Sequence, residues 1–158
     1  MVEIAITGGI GSGKTTVGKL LVEKGVVLVD ADQIVKDLQK PGGKVFNKIV
    51  ETYGNEILLN DGELNRGKIA EIVFNDEHEL SKLNEIVHPA VGEEMGNRRK
   101  EAIKQGNIVL VDIPLMVTDE GELGREEYKL FEGIIVVDCK IETAVMRLVQ
   151  QRGFDEKD

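Results

Sequence analysis

The run Gly8-Gly9-Ile10-Gly11-Ser12-Gly13-Lys14-Thr15 fits the spacing G-x-x-x-x-G-K-[ST], with Gly8 first and Gly13-Lys14-Thr15 last. These residue types suit one task, the holding of a chain of phosphates. Glycines let successive backbone N–H groups turn toward a single anion. A helix starting behind the last glycine adds the positive end of its dipole. Lys14 can reach β- and γ-phosphates, and the Thr15 hydroxyl can ligate Mg²⁺. Gly9, Gly11, Ser12, Gly13, Lys14, Thr15 and Thr16 are the candidate triphosphate-binding residues.

Carboxylates offer the second part of such chemistry. Asp30 and Asp32 flank Ala31 behind the apolar run Val26–Val29. In an extended segment the two-residue period points both the same way. Either one of them accepts a proton from an acceptor hydroxyl, or both simply end a strand. Asp112 follows the apolar run Ile108–Val111. It fits a Mg²⁺-ordering aspartate and, equally, a turn-former before Pro114. Asp138 reads as a strand-end residue. His88 precedes Pro89 at the end of the helix-like run Leu80–Val87, as a helix cap or as a ligand contact. Arg147 and Arg152 lie on and just beyond the helical pattern Ile141–Gln151. They are solvated helix charges or, in a kinase, cations facing the triphosphate. Arg98-Arg99-Lys100 reads as a solvated helix face, and Cys139 as inert packing.

The elements that must position these groups follow from periodicity. Val2–Thr7 is an apolar run ending at glycines, which predicts a buried parallel strand. A helix is predicted over Thr15–Lys24, with Val17, Leu20 and Leu21 inward and Gly25 as its stop. Val26–Val29, Ile108–Val111 and Ile134–Val137 are further strands, and Ile141–Gln151 is a helix with Ala144, Val145 and Leu148 inward. Strands alternating with helices predict an α/β fold, a parallel sheet flanked by helices. Ligands in such sheets bind outside the carboxyl ends of the strands. Gly8–Lys14, Asp30, Asp32, Asp112 and Asp138 all fall at predicted carboxyl ends. Pro41-Gly42-Gly43 breaks the chain, and the pattern is helical from there to about Gln105, with breaks at Tyr53-Gly54-Asn55 and Asn60-Asp61-Gly62. That stretch is too long for a simple crossover and predicts a helical subdomain.

A length of 158 residues makes about one domain. The net charge of −9 argues against a nucleic-acid surface. One cysteine excludes an intrachain disulfide and suits a reducing cytoplasm. No apolar stretch is long enough for a bilayer, and the chain enters its first strand without a signal-peptide pattern. A dinucleotide fingerprint fails, because from Gly9 and Gly11 its last glycine would fall on Lys14. A switch GTPase should show Asp-x-x-Gly after the third strand, where Asp112-Ile113-Pro114-Leu115 stands, and a base-reading Asn-Lys-x-Asp, which Asn47-Lys48-Ile49-Val50 does not complete. A small-molecule kinase is left, with a Mg²⁺ site, an acceptor pocket and a mobile basic lid.

Several segments together resemble the dephospho-CoA kinase family. They are Ile6-Thr7-Gly8-Gly9-Ile10-Gly11-Ser12-Gly13-Lys14, Val29-Asp30-Ala31-Asp32-Gln33-Ile34, Asp61-Gly62-Glu63-Leu64-Asn65-Arg66 followed by Ile72-Val73-Phe74, Leu83-Asn84-Glu85-Ile86-Val87-His88-Pro89, and Asp112-Ile113-Pro114-Leu115. The resemblance runs over nearly the whole chain. It implies a single P-loop kinase domain over 1–158, with transfer of the ATP γ-phosphate to the ribose 3′-hydroxyl of dephospho-CoA. It implies Gly11–Thr16 at the ATP phosphates, Thr15 at Mg²⁺, and Asp32 as the catalytic carboxylate. Residues 37–105 become the CoA-side subdomain, with Arg66 and His88 at the acceptor. Residues 147–158 become the start of a lid. Family members run on past this point through an arginine-bearing lid, a fifth strand and a last helix. The end at Asp158 therefore implies either a fragment or a true loss of those parts. Family lids place an arginine four residues after the Arg147 position; here Gln151 stands there and Arg152 follows it.

Overall fold

The computed structural model describes residues 2–74, 76–114, 116 and 126–152, without the side chains of 126, 127, 151 and 152. The chain divides into two compact units, Met1–Asp30 with Arg99–Asp158, and Ala31–Arg98.

The first unit is built on four short apolar strands: β1 (Glu3–Thr7), β2 (Val27–Asp30), β3 (Val109–Asp112) and β4 (Gly133–Val136). All pairings are parallel and the order is β2-β3-β1-β4. Ala5, Ile6, Val29, Val109, Leu110 and Val111 are buried, as a sheet covered on both faces requires. With every strand parallel, all four carboxyl ends lie along one edge. Helix α1 (Lys14–Glu23) follows β1, and α6 (Ile141–Arg152) follows β4.

The inner face of α1 differs from expectation. Gly18 is buried with Leu28 Cδ2 3.8 Å from where its Cβ would be, while Leu20 is 55% exposed. The missing side chain at 18 lets the helix lie close to β2. Leu20 is two residues, about 200° around the helix, from that contact. Val17 and Leu21 flank Gly18 and are half-buried. Gly25 stops the helix, its N–H donating to the Val22 carbonyl at 2.9 Å.

The second unit contains α2 (Ala31–Leu38), α3 (Lys44–Tyr53), a 3₁₀ turn (Asn55–Ile57), α4 (Arg66–Phe74) and most of α5 (Glu77–Lys104). It has its own core of Val45, Phe46, Ile49, Ile57, Leu64, Ile69 and Val87. Asn65 Oδ1 caps α4 by accepting the Lys68 N–H at 3.0 Å, and Asp76 Oδ1 caps α5 by accepting from His78 and Glu79. The motif from Asp61 to Arg66 is thus largely a turn and a cap: Asp61 Oδ1 accepts the Glu63 N–H, and Leu58 bridges Leu64.

Two further expectations are corrected. Helix α5 does not end before His88; it runs through Pro89 for 28 residues. Proline removes the bond to the Glu85 carbonyl and costs about 3 kcal/mol in a helix interior. Ile86 and Val87 before it, and Ala90 and Val91 after it, pack on the same core, which holds both sides of the helix in line. His88 is therefore an exposed mid-helix residue rather than a cap. Nor is Arg98-Arg99-Lys100 a merely solvated face. Arg98 donates to Glu94 at 2.7 Å and to Asp37 at 3.1 Å. Arg99 forks onto both Glu3 carboxylate oxygens at 2.7 and 3.0 Å, and its guanidinium lies 5.6 Å from the Phe131 ring centroid. Among the described residues, no helix is long and apolar enough to cross a membrane.

Candidate active site

Strand β1 leads straight into the glycine loop. Gly13 is the N-cap of α1 and sits at φ 101°, a left-handed conformation that side-chain-bearing residues rarely adopt. The loop closes on itself through the Ser12 N–H, which donates to the Gly9 carbonyl at 3.1 Å. Thr16 and Val17 donate to the Gly13 carbonyl at 3.0 and 3.1 Å. The amides of Gly13, Lys14 and Thr15 have no backbone acceptor among the described residues. They are the unsatisfied donors of a helix start, at the positive end of its dipole. The buried Ser12 Oγ likewise has no hydrogen-bond partner among the described residues. Such a ring of donors suits an anion.

Lys14 folds its ammonium back onto the end of β3. Its Nζ donates to Asp112 Oδ1 and Oδ2 at 2.5 and 2.6 Å, both side chains being largely buried. Asp112 stands in register with Asp30 at the end of β2 and with Ile6 of β1. Neighbours in register share a face of the pleat, so two carboxylates and one ammonium gather at the carboxyl edge of the sheet. This register partnership of Asp30 and Asp112 depends on strand order, which spacing alone does not reveal.

On the outer side of the loop, Arg147 of α6 donates from Nη1 to the carbonyls of Gly11 and Ser12, both at 3.0 Å. The Cys139 thiol lies 3.8 Å from the same Gly11 carbonyl. From the sequence Arg147 is a solvated helix charge or, in a kinase, a cation facing the triphosphate, and nothing there signals this contact with main-chain oxygens. Arg152 closes α6, and its side chain lies outside the described residues, as do residues 153–158 of the expected lid and Leu115. Thr15 and Thr16 are exposed in the first turn of α1.

The remaining candidates belong to the second unit. Asp32 is not in one extended segment with Asp30. The strand ends at Asp30 and α2 begins at Ala31, so the expected common direction fails. Asp32 is exposed in the first turn of α2, where the helix dipole favours its charge. Arg66 is exposed at the first position of α4, directly after the Asn65 cap. His88 is exposed on α5.

Among the described residues no cluster of three or more His, Cys, Asp or Glu side chains suited to a metal occurs. One hydroxyl and one carboxylate beside an anion cradle fit Mg²⁺, which keeps its waters and binds substrate phosphates.

A parallel α/β sheet with a glycine loop and lysine behind its inner strand, and an aspartate closing the next, defines the phosphate-loop nucleotide-binding class. Comparison with known proteins narrows this. The chain matches the dephospho-CoA kinase family over residues 2–158. It is 40% identical over 157 residues to a dephospho-CoA kinase of Thermobifida fusca, covering 99% of this chain and 75% of that protein. It is also 40% identical over 159 residues to one of Corynebacterium glutamicum, covering 100% of this chain and 78% of that protein. Among solved structures it is similar to TT1252 from Thermus thermophilus, with a TM-score of 0.74, 27% identity and 99% and 75% of the two chains covered. The fold also matches a dephospho-CoA kinase from Campylobacter jejuni, with a TM-score of 0.66, 22% identity and 98% and 75% covered. The chain belongs to the dephospho-CoA kinase family, a family of phosphotransferases, and spans about three quarters of the length of these relatives.

Proposed function

We propose that this chain transfers the γ-phosphoryl group of ATP to the ribose 3′-hydroxyl of dephospho-CoA, giving coenzyme A, the last step of its synthesis. Family membership over residues 2–158 supports the acceptor. The observation that carries the phosphate side is the Lys14–Asp112 pair beside the amides of Gly13, Lys14 and Thr15, which have no backbone acceptor among the described residues.

The loop from Gly9 to Thr16 receives the triphosphate on its amides, with Ser12 Oγ as a further donor. Lys14 exchanges Asp112 for the β- and γ-phosphate oxygens, so its charge stays compensated before and after nucleotide arrives. Thr15 and Asp112 would hold Mg²⁺, which when bound neutralises charge on the phosphates. The 3′-oxygen attacks the γ-phosphorus, the bond to the bridging β–γ oxygen breaks, ADP leaves, and the hydroxyl proton passes to a carboxylate. We assign that carboxylate to Asp32, two residues beyond the end of β2, with Asp30 as its rival. Residues 37–105 serve the acceptor side, with Arg66 and His88 contacting dephospho-CoA. Arg152 brings positive charge toward the triphosphate from the end of α6, where the lid starts, while Arg147 acts from the outer side of the loop. The lone Cys139 fits a reducing cytoplasm as the place of this reaction.

The test is incubation with MgATP and dephospho-CoA, followed by mass spectrometry. A product heavier by one phosphate, absent without dephospho-CoA, is the expected result. ATP binding without product from this acceptor would overturn the assignment.

A further inference from the structure

We propose that Arg147 is a positioning residue that sets the shape of the phosphate loop from outside. This rests on the kinase reading of the loop. One Arg147 nitrogen, Nη1, donates to two consecutive carbonyls, those of Gly11 and Ser12. A trans peptide holds its N–H opposite to its C=O. Fixing the Gly11 carbonyl therefore aims the Ser12 N–H across the loop, where it meets the Gly9 carbonyl at 3.1 Å. Fixing the Ser12 carbonyl aims the Gly13 N–H away from Arg147, into the set of amides that lack a backbone acceptor among the described residues. One guanidinium thus orders the bond that closes the loop and the first donor of the cradle.

The rest of α6 supports the same contact. A Cβ on Gly11 would lie 2.9 Å from the Ala144 carbonyl oxygen and 3.1 Å from its Cα, so the helix backbone lies directly against the loop. Gly11 also has φ 75°. Ala144 and Arg147 are three residues apart and share a helix face. Packing at Ala144 and charge-assisted bonds at Arg147 hold the loop jointly. Arg147 donates to main-chain oxygens of the loop; it acts through the loop amides, and its loss should appear first in nucleotide binding.

The test compares wild type, Arg147→Ala and Arg147→Lys by nucleotide affinity, by kinetics and by amide hydrogen exchange over residues 9–16 without nucleotide. In Arg147→Ala, exchange in the loop should rise, and ATP affinity should fall about tenfold, the scale of lost bonds to a charged donor. The apparent KM for ATP should rise more than kcat falls. Arg147→Lys should restore most of the exchange protection, because a single ammonium can donate to two carbonyls. A bidentate phosphate contact would not be rescued by lysine. Unchanged loop exchange in Arg147→Ala, or a fall in kcat with unchanged ATP affinity, would overturn the proposal. Because wild-type turnover is measured in the same series, an inactive wild type would instead count against the kinase reading.

Discussion

The sheet unit and the helical unit hold their polar groups by different means. In the first, the working groups are largely main-chain amides, and their directions are set by backbone conformation between β1 and α1. Arg147 braces that backbone through the Gly11 and Ser12 carbonyls, and Asp112 holds the Lys14 ammonium beside it. In the second, the candidates are exposed side chains at the surface of a helical core: Asp32 on α2, Arg66 on α4 and His88 on α5. An anion cradle made of amides must be preorganised to work at all. A helical surface with its own apolar core can change its side chains without disturbing the fold. The comparison predicts large effects on chemistry from single changes in the first unit. Changes in the second should be smaller and more specific to the acceptor, except where a side chain takes part in proton transfer.

Lys14→Ala should break the first unit most severely. It removes the cation from the triphosphate and leaves Asp112 without its lysine in a largely buried place. Cationic groups at a transferring phosphoryl are worth on the order of 10³-fold or more in turnover. A steady-state assay should show that loss, with circular dichroism near wild type. Turnover close to wild type would remove the loop from the mechanism.

Asp32→Asn is the exception within the second unit, and it sharpens the comparison. General-base groups contribute about 10²–10⁴-fold. The expected outcome is a fall in kcat far larger than any change in ATP affinity. Asp30→Asn measured beside it separates the two carboxylates, since Asp30 is the register neighbour of Asp112. If Asp30→Asn has the kinetic effect and Asp32→Asn does not, the proton acceptor belongs to the sheet edge.

The sequence made the first unit's site legible because its geometry is encoded locally. Glycine spacing, a preceding apolar run and a following helix are contiguous features, and each has one backbone meaning. The four strands were legible for the same reason, within one residue at each end. What was not legible depends on partners distant in sequence. Nothing near Arg147 announces that it meets Gly11, and nothing near Asp30 announces its register with Asp112. Leu20 looked inward because the hydrophobic count ignored Gly18, whose value lies in having no side chain. Pro89 looked like a helix end because the local rule for proline omits the packing of Ile86, Val87, Ala90 and Val91. In the second unit, Arg66 became a candidate only through resemblance, and His88 by itself read as a cap or a ligand contact, since a lone arginine or histidine on a helix carries no chemical signature of its own.

His88→Ala tests that weaker legibility. One hydrogen bond to the acceptor corresponds to about a two- to tenfold change. The apparent KM for dephospho-CoA should rise by that much, with the KM for ATP unchanged. Equal changes for both substrates would reduce His88 to a helix-surface residue.

The smallest expected effect concerns the fold of the second unit alone. Asp37 on α2 accepts from Lys40 at 2.8 Å, from Arg98 on α5 at 3.1 Å and from Gln33 at 3.2 Å. The Lys40 ammonium first, and the Arg98 guanidinium next, lower its carboxyl from 3.8 to about 2. A carboxyl whose folded pKa is depressed stabilises the native state above its unfolded pKa. That contribution is complete above about pH 4 and is lost as the pH falls toward about 2. The group is half-buried and still reached by solvent, so screening keeps the effect small. Thermal melts of wild type and Asp37→Asn should therefore differ slightly at pH 6 and converge as the pH drops through this window. A difference that persists unchanged to pH 2 would mean that Asp37 acts on α2 through shape or helix propensity rather than through its charge on Lys40 and Arg98.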